Sequence, residues 1–292
     1  MEFTPEFVER GYNNRAAVPD HQRWFDRWAA KSEEARASLS PKLDLRYGRG
    51  PKETLDLFVP AKPARGTFMF IHGGYWRALD KSDHAFVAPA MVAQGFAVAV
   101  VNYDLCPEVS IARIVEQVRR ALIWLTQEGG ALGANIERFV VGGHSAGGHL
   151  AAMLLATDWS ARRLERPPIA GGVTLSGVHD LRPLTLFSFN SDFKLDVAEA
   201  TRLSPVLLRS RSGAPLLVAV GGDETTEFVR QSRIMWQAWP RNRPSTDEGP
   251  MVIAGHNHFS VVSEYENPDS PLTKATVRLF DGHQFELERV PR

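Results

Sequence analysis

The chain has one cysteine in 292 residues, Cys106, so an intrachain disulfide framework is excluded and no cysteine cluster is available to hold a metal. No apolar run approaches the roughly 18 residues that a membrane span needs. Charge of one sign is not in excess either: 34 basic and 34 acidic side chains cancel, and no block of like charge interrupts the sequence. A basic footprint for nucleic acid or an anionic membrane surface is therefore missing. The first residues lack the basic and apolar regions of a signal peptide. These absences predict a soluble cytoplasmic protein whose partner is a small molecule, with no nucleic acid, membrane, metal or cofactor involved.

What is present is a patterned globular sequence, 43% hydrophobic and 23% charged, of a length that suits one large α/β domain spanning 1–292. Residues 1–40 read as an N-terminal helical arm. Within it Pro19-Asp20 is a start signal for a helix over 19–39 that places Trp24 and Trp28 on one face. Two alternating segments, 43–47 and 54–59, flank a Gly-Pro turn and predict an antiparallel pair at a sheet edge. From there short apolar runs alternate with helical ones, the pattern of parallel strands and crossover helices. The predicted strands cover 67–71, 96–101, 139–142, 172–175, 215–220 and 251–254. The clearest helix covers 110–128, and another follows Ser145, with Leu150, Met153 and Leu154 on one side. The segment of about 177–205 breaks the alternation and is expected to form a cap excursion over the strand ends.

Gly143-His144-Ser145-Ala146-Gly147 matches the G-x-S-x-G elbow, in which glycines let a strand turn sharply into a helix and expose a serine above the sheet. The apolar run before it and the helical pattern after it supply the required context. An earlier loop, His72-Gly73-Gly74-Tyr75-Trp76, also follows a strand. Gly73, Gly74 and Ala146 are thus the candidate oxyanion-hole donors, and Tyr75 and Trp76 the candidate substrate-binding aromatics. A serine hydroxyl needs an imidazole base and an orienting carboxylate. The base should follow the last strand, where His256 and His258 compete, and His258 is better placed because it precedes a new apolar segment. The acid should follow the preceding strand, in Gly221-Gly222-Asp223-Glu224. Counting from the strand-end glycine favours Glu224, and Asp223 is the alternative or, failing that, the N-cap of the next helix. Glu227 reads as a first-turn helix charge.

These motifs, together with Tyr12-Asn13-Asn14-Arg15 through Trp28, the loop 176–184 and Glu227-Phe228-x-Arg230-Gln231-Ser232, resemble the arylformamidase, or kynurenine formamidase, branch of the α/β-hydrolase superfamily. The likeness runs through most of residues 12–262. It implies an α/β-hydrolase fold, a mostly parallel twisted sheet with helices on both faces. It also implies a catalytic Ser145, Glu224 and His258, and hydrolysis of N-formyl-kynurenine to kynurenine and formate in tryptophan breakdown. The alternative is a carboxylesterase acting on short-chain or aryl esters.

Overall fold

A computed structural model describes residues 3–162, 168–244 and 249–281. The two ends of the span expected to form a single domain, 1–2 and 282–292, lie outside the described residues. Eight strands form one sheet: β1 (Lys42–Arg46), β2 (Thr54–Phe58), β3 (Thr67–Ile71), β4 (Ala97–Val101), β5 (Phe139–His144), β6 (Ile169–Leu175), β7 (Leu216–Gly221) and β8 (Met251–Ile253). Their spatial order is β1-β2-β4-β3-β5-β6-β7-β8. β1 and β2 pair antiparallel, as do β2 and β4, and every later pairing is parallel. The predicted strands and the antiparallel edge are therefore present, with boundaries moved by one to three residues.

Successive residues of a strand point to opposite faces, and the core divides accordingly. Met69, Ile71, Val141, Leu216 and Val218 face one apolar layer, while Phe68, Phe70, Val140, Leu217 and Ala219 face the other. The arm contributes α1 (Pro5–Tyr12), α2 (Asn14–Ala17) and α3 (Gln22–Leu39). The first two precede the helix read over 19–39; Thr4 caps α1 by accepting from Phe7 N at 3.2 Å, and Asn13 caps α2 by accepting from Ala16 N at 3.1 Å. Trp28 of α3 is buried and Trp24 only half-buried. On the body lie α4 (Ala88–Ala93), α5 (Ile111–Glu128), α6 (Ala146–Ala156), α7 (Asn190–Phe193), α8 (Val197–Arg202), α9 (Thr226–Ala238) and α10 (Pro271–Phe280).

Helix α5 shows the expected single buried stripe of Ile111, Ile114, Val115, Val118, Leu122 and Leu125, with Ser110 capping it through Arg113 N at 3.2 Å. Helix α6 departs from expectation. It is buried on every side from Ala146 to Leu155 rather than along one face, as befits a helix wedged between the sheet and a covering layer. Short helices α7 and α8 occupy the segment between β6 and β7. No helix among the described residues is long and apolar enough to cross a membrane.

Besides His258, five histidines among the described residues, His72, His84, His144, His149 and His179, are buried. Burial lowers the pKa of each, to about 3 for His84 and His179 and about 4 for His149. The folded chain therefore holds them neutral while the unfolded chain protonates them near pH 6.5. Stability is full above that value and falls as the pH drops from about 6.5 toward the folded pKa values, by up to about 1.4 kcal/mol per pH unit for each histidine. Urea unfolding at pH 7.5 and pH 5 should show a large drop in midpoint, and the His149→Gln variant should show a smaller pH dependence than the native chain.

Candidate active site

The site begins with a backbone constraint at the end of β5. Ser145 sits at φ 57° and ψ −119°, a strained region for a residue with a side chain, and caps the N-terminus of α6. The turn closes because of two glycines. A Cβ at Gly147 would lie 1.9 Å from the Ile71 carbonyl oxygen, and one at Gly143 would lie 2.6 Å from that oxygen and 2.5 Å from Gly147 backbone atoms. Only glycine admits this approach.

Around Ser145 the chain assembles a line of hydrogen-bonding side chains. The Ser145 hydroxyl lies 3.1 Å from Nε2 of His258, and Nδ1 of His258 donates to Oε2 of Glu224 at 2.7 Å. The Glu224 side chain is fully buried, and its second oxygen accepts from Gly221 N at 2.9 Å and from the Ser176 hydroxyl. The carboxylate thus has three donors, which compensates the cost of burying it. Its hydrogen bond fixes the His258 tautomer so that Nε2 is left as an acceptor facing Ser145.

The competing candidates are elsewhere. Asp223 is exposed and does not touch His258; only its backbone N–H is engaged, donating to the His256 carbonyl at 3.0 Å. Nor does Asp223 cap the next helix. Thr225 is the N-cap of α9, and its hydroxyl donates to the Gly11 carbonyl at 2.6 Å instead. His256 points away toward Glu264, with Nε2 3.3 Å from Oε1. Glu227 is in the first turn of α9 as expected but is buried, held bidentate by Arg230 at 3.0 and 2.8 Å.

Ser176 is a site residue that the sequence reading missed. It follows β6, adopts φ 53°, and stands in the segment 176–184 that carried part of the resemblance. His144 was also passed over. Its Nε2 donates to the His258 carbonyl at 2.8 Å, and burial, followed by the proximity of His258 and His84, keeps it neutral. It therefore anchors the backbone of the residue that faces Ser145.

On the other side of Ser145 lies the 72–79 loop. A Cβ at Gly73 would come within 3.1 Å of the Ser145 Cβ, and Gly74 adopts φ 99°. Neither glycine N–H donates to a described backbone group, and Ala146 N–H, at the first position of α6, has no intrahelical acceptor. These three amides are the donors available near the serine. The loop is braced from behind by the Tyr103 hydroxyl, which donates to the carbonyls of His72 at 2.9 Å and Gly73 at 3.2 Å.

A cavity opens over Ser145 and His258, walled by Phe25, Trp28, Tyr75, Phe189 and Phe259. Tyr75 is on the wall, its hydroxyl donating to the Tyr12 carbonyl at 2.5 Å. Trp76 is not: it is fully buried behind the loop, edge-on to His149 and Phe193, so its expected contact with substrate is replaced by a packing role. Phe25, Trp28, Asn13, Asn14 and Arg15 come from the arm. No motif in the arm's sequence marks it as part of the site. Cys106 is buried away from this cavity, and burial pushes its thiol up to about 12. Among the described residues no group of three or more His, Cys, Asp or Glu could hold a metal ion.

The BD-FAE family profile matches residues 55–169. The kynurenine formamidase of Salmo salar is 32% identical over 259 residues, 85% of each chain. A solved structure from Silicibacter sp. TM1040, whose protein carries a provisional thioesterase name, superposes with a TM-score of 0.82 at 34% identity, covering 92% of this chain and 98% of that one. Esterase B of Lactobacillus rhamnosis, solved with a tributyrin phosphonate, superposes with a TM-score of 0.68 at 21% identity over 91% of this chain and 95% of its own, a likeness of fold.

The two carboxylates make a direct experiment. Glu224→Gln is expected to lower kcat on any accepted acyl substrate by about 10⁴-fold, the loss that follows when an orienting carboxylate is neutralised. Asp223→Asn should leave kcat within about twofold, as usual for an exposed side chain outside that line of hydrogen bonds. Steady-state kinetics of both purified variants decides between them.

Proposed function

Because the chain belongs to the kynurenine formamidase family of hydrolases, we propose that it cleaves the formamide bond of N-formyl-kynurenine, releasing kynurenine and formate. The observation that carries this reading is the convergence, in one cavity, of the Ser145–His258–Glu224 relay with five aromatic walls that suit an aryl amine.

In this mechanism His258 Nε2 takes the Ser145 proton as Oγ bonds to the formyl carbon. The carbonyl π pair moves onto oxygen, and the oxyanion is held by the N–H groups of Gly73, Gly74 and Ala146, with the positive end of α6 behind the last of these. Glu224 stabilises the imidazolium. The imidazolium proton then passes to the anilide nitrogen as the C–N bond breaks, which is the demanding step, since an amine leaves poorly unless protonated. Water, deprotonated by His258, attacks the formyl-serine; the second tetrahedral species collapses with cleavage of the C–Oγ bond as the imidazolium returns its proton to Oγ, and the formic acid released ionises to formate in solvent. A small acyl group fits a site so close that a Cβ at Gly73 would come within 3.1 Å of the serine Cβ.

The expected result is a kcat/KM for N-formyl-kynurenine far above that for p-nitrophenyl acetate, with both lost in Ser145→Ala. Brisk ester turnover with negligible formamide hydrolysis would move the substrate to the carboxylesterase class while leaving the relay in place.

A further inference from the structure

The arm places two polar residues on the cavity wall that the relay does not use. Asn14 is 4% exposed, lines the cavity, and its Nδ2 has no hydrogen-bond partner. A buried amide donor without an acceptor costs about 1–3 kcal/mol, so its position calls for a ligand atom. Arg15, the next residue, also lines the cavity, with its guanidinium 5.5 Å from the centre of the Phe25 ring. Phe25 packs edge-on against Phe259, the neighbour of His258.

Charge in the cavity is one-sided. Its lining contains Arg15 and Arg77 and neither aspartate nor glutamate. Arg77 is paired in charge with Asp192, its Nε 2.5 Å from Oδ2 but not aligned for a hydrogen bond, and its guanidinium covers the Phe189 ring at 4.3 Å. Arg15 makes no ion pair among the described residues; of the arm carboxylates, Glu9 is engaged by Asn13 Nδ2 at 2.7 Å and Asp20 by Arg23 at 3.0 Å. Partial burial and the positive charge of Arg77 lower the Arg15 pKa, as happens to a cation with no anion beside it.

We propose that Asn14 and Arg15 form a subsite for a carboxylate carried on the leaving-group side of the substrate, Arg15 supplying the charge and Asn14 Nδ2 a hydrogen bond. The arm then selects anionic substrates, while the sheet and its loops perform the bond cleavage. This rests on the formamidase reading for the nature of the scissile bond but not for the charge of the group bound.

The test uses a matched pair: N-formyl-kynurenine, which has an α-carboxylate, and N-(2-acetylphenyl)formamide, which keeps the aryl formamide and lacks the charge. Arg15 stands at the exposed rim of the cavity, so Arg15→Gln removes the charge beside Phe25 and leaves the core packing undisturbed. The expected result is a loss of about 10- to 100-fold in kcat/KM for N-formyl-kynurenine, carried mainly by KM, with the neutral formamide unchanged within about twofold. Arg15→Lys should recover part of the loss, and Asn14→Leu should weaken the charged substrate selectively as well. Equal effects on both substrates, or none on either, overturn the proposal. If the native chain hydrolyses neither formamide but does hydrolyse p-nitrophenyl acetate, the formamidase reading falls by itself. The subsite is then read from aryl esters with and without a carboxylate on the phenol side. A preference for the charged ester that Arg15→Gln abolishes supports it, and absence of that preference overturns it.

Discussion

The site depends on how closely two backbones approach at the carboxyl ends of β3 and β5. The first turn of α6 rests against the Ile71 carbonyl with no room for a side chain at Gly143 or Gly147. That contact pushes Ser145 into its left-handed conformation, sets its Cβ beside Gly73, and leaves the Ala146 amide at the head of a buried helix. The strain at Ser145, of order 1–3 kcal/mol for such a backbone, is sustained because the neighbouring parallel strands over-determine it: β3 and β5 pair in register from Thr67 with Phe139 to Ile71 with Gly143. A hydroxyl on a flexible loop would have no such fixed relation to an imidazole 113 positions away in sequence.

The second requirement is a stationary imidazole, and the structure meets it from three directions. Glu224 orients the His258 ring, Ser176 and Gly221 orient Glu224, and neutral His144 holds the His258 carbonyl. The segments similar to the arylformamidase branch outside the generic elbow also meet physically. Gln231 accepts from His179 N and Asp180 N at 2.8 Å each and donates to the Tyr12 hydroxyl at 2.7 Å. One buried amide thereby ties together the arm, the loop after β6 and helix α9.

Most of the sheet was legible in the sequence because the parallel strands inside its edges, β3 and β5 to β7, are buried on both faces and so read as short apolar runs between turn signals. The elbow and the glycine loop were legible because their backbone geometry admits few residue types. The acid was harder. Asp223 and Glu224 are adjacent, and only the path of the chain after Gly221, which turns Glu224 inward and Asp223 to solvent, separates them. The arm's share in the cavity was illegible for a different reason. Asn13, Asn14 and Arg15 have no pattern of their own, and their position is set by distant anchors such as Thr225 on Gly11 and Tyr75 on Tyr12. Trp76 misled because an aromatic next to a glycine loop looks the same in sequence whether it faces ligand or core.

The arm's anchorage has an evolutionary consequence. Ser145, Glu224 and His258 stand just after β5, β7 and β8, whereas a large part of the cavity wall comes from the first 28 residues, joined to the body through a handful of hydrogen bonds and aromatic contacts. Mutations there reshape what enters without disturbing the nucleophile or its base. Selection can therefore retune substrate choice by editing one short terminal stretch, and the inherited chemistry stays intact while descendants diverge in what they consume.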